Sequence, residues 1–173
     1  MAKLFKYDYY RMTGKTWSIK SVFELIYRYD LRYLYIIRLK PGFLKKTLLV
    51  RMARKYGLEV LSSQIGKGLY LGHAHNINVH PKAIVGDNCN LNKGCTIGRE
   101  NRGKKNGVPT IGDNVWIGSN AMVCGKITIG NDVLIAPNAY VNFDVPDHSI
   151  VIGNPAIVKS REYATEGYIT NTV

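Results

Sequence analysis

Three histidines, His73, His75 and His80, fall within eight residues, in a stretch otherwise made of glycine, asparagine and aliphatic residues. Histidine titrates closest to neutral pH, so one held against a hydroxyl can take its proton as a general base. Such a positioned base is worth roughly 10²–10⁴-fold in rate. His73 is the strongest candidate, because it lies where an otherwise regular pattern breaks. His75, two residues on, shares a side with His73 if the segment is extended, and reads either as a substrate contact or as packing. His80 follows an inward valine and reads as structural, and His148, in the turn 145–149, reads as exposed. The chain has no Ser-His-Asp order, no carboxylate pair and no phosphate-cradling glycine loop.

The elements that must hold these residues are written in a period of six. Val79, Val85, Leu91 and Ile97, then Ile111, Ile117, Val123, Ile129, Ile135 and Val141, recur at every sixth position. Glycine often follows, and four positions after each comes a small or β-branched residue such as Ala83, Cys89, Cys95, Val115, Ala121 or Ala139. Six fits neither a helix nor a simple alternating strand. It predicts a coil of short strands joined by tight turns, a parallel β-helix. The coil is interrupted twice. Leu71 to Val79 spans eight, inserting two residues around His73–Asn76, and Ile97 to Ile111 spans fourteen, adding a loop over 99–109. A packed coil tolerates insertions where they leave its surface, so these are the places where function can be added.

Segments such as IGDNVWIGSNAMV and ITIGNDVLIAPNAYV resemble the hexapeptide-repeat acyltransferases, which fold as left-handed parallel β-helices. The handedness is implied by this resemblance alone, since crossover rules favour the right-handed form. IGKGLYLGHAHNINVHPKAIVGDNCNLNKGCTIG and the closing VIGNPAIV narrow the likeness, over residues 57–160, to the serine acetyltransferase-like branch. Within that branch the nearest look is of enzymes that O-acetylate cell-surface polysaccharides. The resemblance implies an acetyl-CoA-dependent O-acetyltransferase, a homotrimer with sites between coils, and His73 as general base in the LGH form of the family's motif. Glu59 is then the carboxylate expected to orient His73, one residue short of the family spacing. Trp116 would lie beside the pantetheine arm of acetyl-CoA, with the backbone of Ser119, Asn120 and Ala121 pairing its amides. Lys104, Lys105, Lys126 and Arg161 would meet its phosphates, and Arg99 and Arg102 an acidic acceptor. Gly72 stands where true serine acetyltransferases carry an acid, and Val108-Pro109 where they carry His-Pro. These departures point to a hydroxyl of a sugar or polysaccharide precursor, with free serine as the alternative. A β-helix carbonic anhydrase, holding metal with three histidines, is a remote alternative that the crowding of His73, His75 and His80 disfavours. No metal is otherwise expected.

The formal charge of +12 is unevenly placed. Residues 1–60 hold 14 Lys/Arg against 4 Asp/Glu and 8 of the 12 tyrosines, whereas residues 61–173 hold 10 against 8. This predicts a basic α-helical segment over 1–57, a β-helix domain over 58–158 and a tail over 159–173. The segment reads as two helices, Ser18 to Leu39 and Phe43 to Tyr56, divided by Pro41-Gly42. Basic amphipathic helices with tyrosines suit either a cap on the coil or peripheral contact with an anionic membrane, and no nucleic-acid motif accompanies the charge. Residues 1–10 lack an apolar leader run, and the cysteines at 89, 95 and 124 have no disulfide or metal spacing, so a reduced, cytoplasmic setting is expected.

Overall fold

The computed structural model describes residues 3–60 and 64–173. Three parallel sheets wrap one core. The first face stacks Glu59–Val60, Asn78–Val79, Thr96–Gly98, Met122–Cys124 and Tyr140–Val141. The second stacks Gln64–Ile65, Ile84–Val85, Thr110–Ile111 and Thr128–Ile129. The third stacks Tyr70–Gly72, Asn90–Asn92, Trp116–Ile117, Val133–Ile135 and Ser149–Ile152, with Ile157–Ser160 added antiparallel.

The period of six is visible as three aliphatic ladders. Val79, Ile97, Val123 and Val141 pair along the first face, Val85, Ile111 and Ile129 along the second, and Leu71, Leu91, Ile117 and Ile135 along the third. All are at most 2% exposed, and burying each such side chain stabilises by roughly 1.5–3 kcal/mol. Cys89 and Cys95 fill small inward positions, where burial pushes both thiols up to about 12. The corners explain the asparagines: Asn88, Asn114, Asn120, Asp132 and Asn138 all take left-handed backbone, which short polar side chains tolerate best.

The N-terminal segment departs from the expected pair of helices. Helix α1 (Phe5–Thr13) precedes the region read as the first helix. That region divides into a 3₁₀ turn (Ile19–Phe23), α2 (Glu24–Tyr27) and α3 (Tyr29–Ile37), while α4 (Phe43–Tyr56) is as expected. Arg28 breaks the run with φ −88° and ψ 93°. Most of the tyrosines serve packing. Tyr33 is buried and accepts the Val60 N–H at 2.7 Å, Tyr9 is buried beside Trp17, and Tyr29 stacks on Tyr56. A buried ion pair fastens these helices to the coil. Asp8 accepts from Arg38 at 2.7 and 2.9 Å and from the Leu69 N–H, while Arg38 also reaches the Ile65 and Gly66 carbonyls.

Candidate active site

The two-residue insertion builds the corner that carries His73. In the ordinary corner between third and first faces a single left-handed residue suffices, Gly94, Asn120 or Asn138, and Asn76 fills that place here. His73 is a second left-handed residue, at φ 50°, and such a backbone costs an ordinary side chain about 1–2 kcal/mol. Its imidazole is exposed and makes no hydrogen bond or ion pair among the described residues. Gly72 before it has no room for a side chain: a Cβ would lie 2.0 Å from Asn92 Oδ1. Asn92 is held there by its amide, which donates to the Ile117 carbonyl at 2.7 Å.

His73 opens into a cavity of about 470 Å³ shared by the coil, the helices and the tail. Arg28 and Asp30 stand on its helical wall, joined by a forked pair at 2.9 Å (Nε to Oδ1) and 2.6 Å (Nη2 to Oδ2), which raises the Arg28 pKa further. Trp116 lines the same space, two strands along the third face from Tyr70, and packs edge-on against Tyr168 at 5.0 Å. An imidazole, a guanidinium paired with a carboxylate, and an aromatic wall therefore face one volume.

Several expected partners lie elsewhere. Glu59 does not pair with His73; its carboxylate accepts from Asn78 at 3.4 Å and borders a groove under α4. The cavity's carboxylate is instead Asp30, on α3. His75 packs against Tyr29 and Tyr56, at 5.3 and 5.5 Å, and ties the helices to the coil. His80 accepts the Lys82 N–H through Nδ1, so the three histidines do not converge as a ligand set. Ser119 and Asn120 share the His73 corner two turns on, but much of this backbone is already used. The N–H groups of Asn120 and Ala121 and the carbonyls of Ser119 and Ala121 bond within the coil, and Ala121 is fully buried. The loop runs along the corner between first and second faces. There the Lys105 ammonium meets the Asn142 carbonyl, the Lys126 N–H donates to the Lys105 carbonyl, and Arg99 bonds Asn106. Arg161 sits at the third corner, its N–H on the His148 carbonyl. Arg99, Arg102, Lys104, Lys105, Lys126 and Arg161 therefore do not line the His73 cavity of their own chain.

Arg28, Asp30 and Tyr168 share this cavity and are not among the residues expected from the sequence. Asp30 carried a signal, as one of four acids in the first 60 residues. It was hidden because a continuous helix would not have started a first turn there.

Comparison with known proteins agrees with this architecture. The bacterial transferase hexapeptide (six repeats) family matches residues 109–142. A Staphylococcus xylosus serine acetyltransferase is 37% identical over 126 residues, covering 68% of this chain and 57% of that protein. A Helicobacter pylori serine acetyltransferase is 34% identical over 108 residues, covering 61% and 63%. The chain thus spans less than two thirds of the length of these relatives. Among solved structures, a Neisseria gonorrhoeae serine acetyltransferase in complex with serine is 29% identical with a TM-score of 0.70, covering 91% of this chain and 66% of that one. The chain is a β-helix protein whose residues 109–142 match the bacterial transferase hexapeptide repeat, and it is similar to the serine acetyltransferases named above.

Proposed function

We propose that this chain is an acetyl-CoA-dependent O-acetyltransferase in which His73 is the general base. The observation that carries the reading is the placement of His73, on an inserted left-handed corner, in one cavity with Arg28, Asp30 and Trp116. The imidazole takes the proton of an acceptor hydroxyl as its oxygen attacks the thioester carbonyl. The C–S bond then breaks, and the thiolate leaves with the proton returned to it. Direct transfer needs no acyl-enzyme. Trp116 offers a flat apolar wall for the thioester arm.

Serine is the acceptor this site supports best. The departures at Gly72 and Val108-Pro109 weigh against it, but the cavity supplies both poles of an amino acid from the helices. Arg28 can hold its carboxylate and Asp30 its ammonium once the two release part of their own forked pair. The relatives' names point the same way. A sugar hydroxyl on a polysaccharide precursor is the second reading. It is favoured by the neutral amides of Asn90 and Asn92 and the rings of Tyr70 and Tyr168 in the lining. We further place the chain in a homotrimer, whose neighbouring coil brings the loop lysines to the cavity to meet CoA phosphates.

Free-thiol release from acetyl-CoA, with L-serine or mixed sugars as acceptor, tests the reading. Wild type should turn over with serine, and His73→Ala should lose at least about 100-fold. Arg28→Gln and Asp30→Asn should raise KM for serine. Full activity in His73→Ala would refute the base, and turnover with sugars alone would select the second reading.

A further inference from the structure

From Leu31 to Leu58 the chain carries eight Lys/Arg and no Asp or Glu. The protein itself holds three of these cations: Arg38 through Asp8, Lys45 through the Ile37 and Leu39 carbonyls, and Arg32 through the Ile26 carbonyl. The other five, Lys40, Lys46, Arg51, Arg54 and Lys55, are exposed and form no ion pair among the described residues. The helix that bears four of them buries Met52 alone. It leaves Phe43 87% and Leu44 68% exposed, and Val50 is exposed two turns further on. A groove lined by the apolar Phe43, Leu49, Val50 and Ala53, with Lys46 and Arg54 and the single acid Glu59 on its walls, runs beside it.

Single exposed apolar residues are ordinary, but here they cluster with unpaired charge of one sign. A second copy of this face cannot cover it, because five uncompensated cations would meet five more. The remaining coil, with 10 basic against 8 acidic residues, offers no strongly acidic counterpart. Nucleic acid would answer the charge but leave Phe43 and Leu44 in water. A surface of lipid phosphates over an apolar layer answers both.

We propose that α4 and the Lys40 turn dock on an anionic phospholipid bilayer, with Phe43 and Leu44 entering the headgroup layer and the five cations meeting lipid phosphates. No described helix is long and apolar enough to cross a membrane, so the contact is peripheral. It holds whichever acceptor the enzyme uses, and does not depend on the acetyl-transfer reading.

Co-sedimentation of the full chain with vesicles tests this. Vesicles of phosphatidylcholine with phosphatidylglycerol should retain it, those of phosphatidylcholine alone should not, and added salt should release it. A basic residue at such a surface is worth about 1 kcal/mol, about fivefold, so R51Q/R54Q/K55Q should bind on the order of 100-fold more weakly. F43S/L44S should also bind more weakly, with the salt dependence retained. K82Q/K93Q/K159Q, which removes three coil cations, should bind as wild type, and melting curves check that every variant is folded. Equal retention by both vesicle types, retention by neither, or equal losses in the two charge variants would overturn the proposal. Preference for a single-stranded RNA homopolymer over the vesicles would overturn it in favour of nucleic acid.

Discussion

His73 owes its position to two inserted residues, and its neighbour Gly72 shows how tightly that corner is packed. The glycine is required by Asn92, whose amide oxygen occupies the space a side chain would need. Placing an acid there, as Gly72→Asp, should therefore cost about 1–3 kcal/mol by overpacking, seen as a lowered Tm. Adding Asn92→Ala should recover part of that loss, although the Asn92 bond to Ile117 goes with it. Strict additivity of the two changes would show that the residues do not compete for one space. His73 was legible in the sequence because a motif and a broken period mark it. Asp30 was not, because its approach depends on the backbone turning at Arg28, which no side-chain pattern announces. Glu59 lies near the spacing of the expected partner in sequence, yet the strand directs it to Asn78.

At the scale of elements, the rungs were readable residue by residue because each aliphatic position has one inward direction and one ladder to join. The helices were less so. Ile19, Phe23, Ile26 and Tyr27 have helical spacing but face outward, so their periodicity does not mark a buried stripe. The tail gave no periodic signal, since polar side chains hold it. Asp132, at a left-handed corner, accepts from the N–H groups of Ala164 and Thr165, from the Thr165 hydroxyl and from His148. Burial pushes the Asp132 pKa up, but the Thr165 and His148 hydrogen bonds outweigh it and hold the group below its ordinary value. The same contact raises His148. The His148 contribution is therefore fully present below pH 6.5 and lost as pH rises through its higher folded value, while the Asp132 contribution is lost as pH falls through its lowered one. Hydrogen exchange at Ala164 and Thr165, corrected for intrinsic rates, should show both limbs. His148→Ala should lose the alkaline limb and keep the acid one; an unchanged profile would remove His148 from the latch.

For the whole molecule, the three-cornered coil separates His73 from the basic loop. His73 stands on one edge, and Lys104, Lys105 and Lys126 on another, and these lysines do not line the His73 cavity of their own chain. In the proposed ring of three copies they would meet at one ligand, because a heterologous interface sets one edge of each coil against a different edge of the next. A site shared between chains has a consequence that a self-contained site lacks. His73→Ala chains and Lys104→Ala/Lys105→Ala/Lys126→Ala chains, each impaired alone, should regain activity when unfolded together and refolded as mixed rings. With random assembly of equal amounts, one interface in four joins an intact base to an intact loop, so about a quarter of wild-type activity should return. Separately refolded and then mixed rings should stay impaired. No recovery in the co-refolded sample would mean that base and loop act within one chain or that the loop plays no part. Full activity of the triple lysine variant alone would separate these outcomes, leaving the donor phosphates to residues elsewhere.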